Sequence, residues 1–123
     1  MKILFLIGLG SFFGGTSRYL LQQYIQARFL SAFPFGTLAV NLTGCFLIGL
    51  VFGLANKWNL GTEWKMFLAT GFLGGFTTFS AFSNETINLI HDEQFIHAIL
   101  YVLASVLLGL AATAIAYIIT KNV

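Results

Sequence analysis

The sequence predicts an all-α membrane protein with four transmembrane helices, the third broken near its middle. Three observations carry that prediction. Of 123 residues, 58% are hydrophobic and only 8% charged, whereas a soluble domain carries about 25% charged residues. Mean hydropathy is +0.88, and so few charges cannot cover the outside of a water-exposed fold. Finally, a membrane helix needs roughly 20 apolar residues, so four such helices with short connections use up the chain as one domain, 1–123. A soluble enzyme or a nucleic-acid-binding module is excluded on these grounds. The net charge of +2 is also too small for a nucleic-acid patch.

The first apolar stretch runs roughly from Ile3 to Ile25, interrupted by Gly14, Gly15 and Arg18. Lys2 before an apolar run imitates a signal peptide, but the run continues to Arg18 without an A-x-A-like cleavage site, so a retained helix is expected. The second stretch runs from about Gly36 to Ala55, opened by Pro34 and closed by Asn56, Lys57 and Trp58. The third spans roughly Trp64 to Ile90 and the fourth Ile96 to Ile119. Tyr24, Trp58, Trp64 and Tyr117 lie near segment ends, where interfacial aromatics belong. An even number of spans puts both termini on one side, together with Lys2, Lys57, Lys65 and Lys121, and leaves Arg28 opposite, joined by Arg18 if that residue is counted. The bias favours cytoplasmic termini, though it is small enough to leave dual insertion open.

Gly10/Gly14, Gly49/Gly53 and Gly71/Gly75 each fit G-x-x-x-G, the spacing that lets helices approach closely in lipid. Cys45 is the single cysteine, which excludes an intrachain disulfide, and no Cys/His cluster suggests zinc. His91 and His97 flank the third connection and are expected at the surface.

Polar groups inside apolar spans are costly unless they pair or line water. Arg18 suits either a snorkelling side chain or an anion-facing one, and Asn41 either an interhelical hydrogen bond or a ligand contact. Asn41 belongs to the row Thr37, Asn41, Cys45, Gly49, a narrow and partly polar stripe on one helical face. Glu85 is the only acid deep in a span, readable as an interfacial charge or as an acid in a transport pathway. The densest signal is Gly71-Phe72-Leu73-Gly74-Gly75-Phe76-Thr77-Thr78-Phe79-Ser80-Ala81-Phe82-Ser83. Two glycines followed by two threonines are a poor prescription for continuous helix, and a break frees backbone groups that can hold ions. Phe79 and Phe82, three residues apart, face one direction. Aromatic edges are positive, so rings turned edge-on to a pore stabilise an anion without carrying charge. In the last helix Tyr101, Ser105, Gly109 and Thr113 recur every four residues as a one-sided polar or small line.

With Gly14-Gly15-Thr16-Ser17-Arg18 and Gly36-Thr37-Leu38-Ala39-Val40-Asn41-Leu42-Thr43-Gly44, this third-helix motif resembles the Fluc (CrcB) family of small fluoride channels along essentially the whole chain. The resemblance implies an antiparallel, dual-topology homodimer in a bacterial inner membrane. It would be surrounded by lipid and would pass fluoride through two pores without catalysis or nucleic acid. It implies that Asn41 hydrogen-bonds the ion, that Phe79 and Phe82 form the facing rings, and that Ser80, Glu85, Tyr101, Ser105 and Thr113 line the pathway. Arg18 would shape the vestibule. The backbone carbonyls of Gly74 and Thr77 would hold a structural Na⁺ at the dimer centre. Gly109 departs from the family pattern, where a serine or similar donor is usual. Two other classes are weaker. A proton-coupled exporter of the small multidrug type would want an acid in its first helix, which carries only Arg18. A structural subunit would leave the Gly-Gly/Thr-Thr/Phe constellation unexplained.

Overall fold

A computed structural model describes Met1–Val123, and all of its regular structure is helical. α1 (Lys2–Gln26) and α2 (Phe35–Trp58) are uninterrupted. The third span, Thr62–His91, is assembled from pieces. It begins as α3 (Thr62–Lys65), widens into a π-helical stretch (Met66–Leu73), closes with α4 (Gly74–Phe76), and resumes as α5 (Phe79–His91). α6 (Phe95–Asn122) completes the chain. The four spans are each long and apolar enough to cross a membrane, and their ends fall within a few residues of the sequence expectation.

The ends have local causes. Pro34, which lacks an amide hydrogen, precedes α2. Asn59 closes α2 in the left-handed region, φ 51°, a conformation asparagine tolerates. Glu93 adopts φ 61° in the tight connection before α6, where the Gln94 amide reaches back to the Leu89 carbonyl at 2.8 Å.

The break falls at Thr77 and Thr78, which are extended (φ −94°, ψ 148° and φ −145°, ψ 119°), while Gly74–Phe76 stay helical. Gly75 serves packing instead, since a methyl there would lie 2.8 Å from the Ser11 carbonyl oxygen, whereas Gly74 is exposed. α1 lies along the π-helical stretch and α4, and α2 along α6. At Gly14 the approach is so close that an added methyl would collide with the Phe72 carbonyl. At Gly49 it would lie 2.5 Å from the Thr113 carbonyl oxygen. In lipid such backbone proximity supplies much of helix association.

Only 19 of 123 residues are buried, so the apolar excess lies on the outside, as lipid requires. Tyr24, Trp58, Trp64 and Tyr117 are all exposed near helix ends. Lys2 pairs with Glu63 at 3.0 Å, joining the starts of the first and third spans. Arg28 donates to the Tyr24 hydroxyl, its guanidinium 4.5 Å from the Tyr24 ring centre.

Candidate functional site: an open groove at the break in the third span

Asn41 holds the break from α2. Its Oδ1 accepts from the Thr78 amide at 2.9 Å and its Nδ2 donates to the Thr78 carbonyl at 3.1 Å. The Thr78 hydroxyl accepts from the Ala81 amide at 3.3 Å, capping α5, and lies 3.1 Å from the Ser80 hydroxyl. In a continuous helix the Thr78 amide would bond the Gly74 carbonyl and the Ala81 amide the Thr77 carbonyl. Both amides are diverted to side chains, so those two carbonyls lose their helical partners. The Gly75 carbonyl, released by the same break, accepts from Arg18 Nε at 3.2 Å. Thr77 keeps its own hydroxyl on the Leu73 carbonyl at 2.9 Å.

An open groove of about 390 Å³ runs beside the break, with Asn41, Gly74, Thr77, Phe79, Phe82 and Ser105 among its walls. Phe79 and Phe82 leave the first turn of α5 with ring centres 5.5 Å apart and planes tilted by 51°. Phe82 is half-buried and lies 5.1 Å from the Tyr101 ring, whereas Phe79 is 79% exposed. The Ser105 hydroxyl oxygen is buried and has no hydrogen-bond partner.

Glu85 sits two turns along α5. Thr37 donates to its Oε1 at 2.6 Å and Tyr101 to its Oε2 at 2.8 Å. Both donors are buried, Thr37 to 2% exposure and Tyr101 to 0%. Each carboxylate oxygen thus has a hydroxyl donor, as a charge withdrawn from water requires.

The residues singled out by sequence therefore divide. Asn41, Gly74, Thr77, Phe79, Phe82 and Ser105 meet at one groove, with Glu85 and Tyr101 adjoining it behind Phe82. Ser80 is exposed beside Thr78. Arg18 touches the break from α1. Thr113 is not a groove wall, because its hydroxyl donates to the Cys45 carbonyl at 2.7 Å and ties α6 to α2. Gly109 is buried beside Cys45. Asn41 spends its carbonyl oxygen and one amide hydrogen on Thr78, leaving one donor. Thr37 stood out only as a member of the α2 stripe; its role as a Glu85 partner depends on where α5 lies. No three His, Cys, Asp or Glu side chains gather as a metal site.

Residues 5–117 match the family described as CrcB-like protein, Camphor Resistance (CrcB). Among curated relatives, a protein of Flavobacterium psychrophilum named fluoride-specific ion channel FluC is 46% identical over 123 residues, covering 99% of each chain. Proteins of the same name from Helicobacter acinonychis and Helicobacter pylori (strain J99) are 43% and 42% identical over 125 residues. Those alignments cover 99% of this chain and 98% and 96% of the relatives. With relatives this similar over nearly its full length, and a family match spanning most of its residues, the chain belongs to the CrcB family of multi-pass membrane proteins.

Proposed function

We propose that the protein is a fluoride-specific channel of the bacterial inner membrane that lets cytoplasmic fluoride leave passively. The observation that carries this reading is the groove itself. Phe79, Phe82 and Ser105 meet there, supplying ring edges and an unpartnered hydroxyl, with no full charge among the groove walls. Fluoride is small and strongly hydrated, so a pathway must replace its water with donors and positive edges. Several weak sites allow exit where a fixed cation would trap the ion. HF crosses membranes uncharged and releases fluoride in the more alkaline cytoplasm, and an inside-negative potential then drives the anion out. The names of the relatives agree with this reading.

The reading includes an antiparallel homodimer. A groove open on one side, with Phe79 and Gly74 exposed along it, suits closure by a second copy. It also includes a structural Na⁺. The carbonyls of Gly74 and Thr77 are freed at the break because the Thr78 and Ala81 amides turn to side chains, while the freed Gly75 carbonyl takes Arg18, and carbonyl oxygens are the donors a hard monovalent cation takes. Two copies would bring four such oxygens to the dimer axis. Asn41 retains one amide hydrogen for the ion, and Arg18, which donates to the Gly75 carbonyl, would shape the vestibule.

Purified protein in liposomes should collapse an imposed fluoride gradient electrogenically once a counter-ion ionophore is added. Efflux that is electrically silent and strictly proton-linked would instead indicate a carrier.

A further inference from the structure

Glu85 is held by donors from two different helices, and both trace back to one side chain outside the groove. Gln26 is the last residue of α1. Its carboxamide makes three hydrogen bonds, all into the segment that leads to α2. Oε1 accepts from the Gly36 amide at 2.9 Å, and Nε2 donates to the Ser31 and Phe33 carbonyls, each at 3.2 Å. The Gly36 amide belongs to the residue just before Thr37, which donates to Glu85 Oε1 at 2.6 Å. The Phe33 ring packs edge to face on Tyr101, with centres 5.5 Å apart and planes at 77°, and Tyr101 donates to Glu85 Oε2 at 2.8 Å.

Besides Gln26, the segment is held from outside by the Phe33 ring, which packs against Leu89, Ala98 and Tyr101 and edge-on to His97. Its other hydrogen bonds are local, among them Arg28 to the Tyr24 hydroxyl, the Phe33 amide to the Ser31 hydroxyl, the Phe35 amide to the Phe33 carbonyl, and the Leu38 amide to the Pro34 carbonyl. Pro34 gives α2 no side-chain cap. The first turn of α2 already touches α1, since a methyl at Gly36 would lie 2.5 Å from the Gln22 carbonyl oxygen. Gln26 therefore ties a locally folded segment to a fixed helix at a point of close approach.

We propose that Gln26 is a positioning residue for the Glu85 carboxylate, setting both of its donors at once, Thr37 through the Gly36 amide and Tyr101 through the Phe33 ring. The inference rests on the reading of Glu85 as part of the fluoride pathway. Gln26 does not touch the ion. A shift of one ångström in either donor would break bonds of 2.6 and 2.8 Å. It would leave a less constrained negative charge beside the path of an anion.

The test is fluoride current through single channels of the reconstituted full-length protein. Four forms are compared: wild type, Gln26→Ala, Glu85→Gln and the double variant. Gln26→Ala should lower the unitary current by about threefold or more, the size shown by coupled neighbours, and should have little further effect once Glu85 is Gln. A merely structural role would reduce the number of active channels and leave the unitary current unchanged, which would overturn the inference. An equal loss with Glu85 and with Gln at that position would overturn it too, because Gln26 would then act independently of the carboxylate. If Gln26→Ala does not fold, Gln26→Glu enters the same cycle; it keeps the acceptor for the Gly36 amide and loses the two donated bonds. Wild-type protein that passes no fluoride current overturns the channel reading and the inference with it, whereas wild-type current with an unaltered Gln26→Ala unitary current overturns the inference alone.

Discussion

The Asn41 carboxamide pairs with both the amide and the carbonyl of Thr78, at 2.9 and 3.1 Å, imitating the backbone partner that an extended residue would find in a sheet. A chain crossing lipid cannot leave those groups to water. The break in the third span is thus stabilised from another helix. Asn41→Ala should destabilise the protein by about 2–4 kcal/mol, the sum of two lost hydrogen bonds with their partners stranded. Thermal unfolding in detergent, followed by circular dichroism, measures this. An unchanged midpoint would show that the break supports itself.

Ser105 separates stability from transport. Its hydroxyl oxygen is buried without a partner, so Ser105→Ala should leave stability unchanged or raise it by about 1 kcal/mol. Fluoride efflux should nevertheless fall, because the donor proposed to face the ion is gone. Parallel melting and proteoliposome efflux measurements test both halves; a loss of stability would mean that the hydroxyl has a structural partner in the assembled protein.

Phe79→Leu and Phe82→Leu keep bulk and remove the positive ring edge. Each should reduce fluoride efflux about tenfold, the equivalent of one aromatic-edge contact, with helical content retained. Phe82 also packs on Tyr101 at 5.1 Å, so its replacement should cost more stability than that of Phe79. Full efflux from both variants would assign the rings to packing.

The glycines of α1 differ sharply in their surroundings. A methyl at Gly14 would meet the Phe72 carbonyl, whereas one at Gly8 meets nothing within 4 Å. Gly14→Ala should destabilise by about 1–3 kcal/mol through overpacking. Gly8→Ala should be neutral or stabilise by up to about 1 kcal/mol through helix propensity. Melting midpoints that move together would refute the close α1 contact with the third span.

For the proposed Na⁺ site, Thr77→Ser should be mild, because serine keeps the hydroxyl bond to the Leu73 carbonyl and the backbone oxygen. Gly74→Val should abolish dimerisation. Replacing Na⁺ by a bulky organic cation should lower the dimer's melting temperature, while ²²Na⁺ should not accompany fluoride efflux. Dimers indifferent to Na⁺ removal, or a Na⁺ flux equal to the fluoride flux, would eliminate the site.

Much of the groove was legible in the sequence because its signals are local. Phe79 and Phe82 share a face by helical spacing, and the Thr77-Thr78 pair marked the break. The glycines beside it were a weaker guide: they suit a break and close packing equally, and Gly74 and Gly75 remain helical. Spacing alone did not show the partner of Thr113. It continues the line through Tyr101 and Ser105, yet four-residue intervals drift around a helix, and its hydroxyl ends on the Cys45 carbonyl. Gln26 carried no signal, since a glutamine at a helix end reads as ordinary interfacial polarity.

Composition and hydropathy alone determined that the chain partitions into lipid as four helices with short connections, because burial of apolar side chains is settled segment by segment. Only the tertiary structure decided the polar pairings. Asn41 reaches Thr78 across 37 positions and Thr37 reaches Glu85 across 48. Such bonds depend on the rotation and depth of one helix against another. Those are set where backbones meet at Gly14 and Gly49, and nothing in the periodicity of either helix encodes which face of its neighbour it will find.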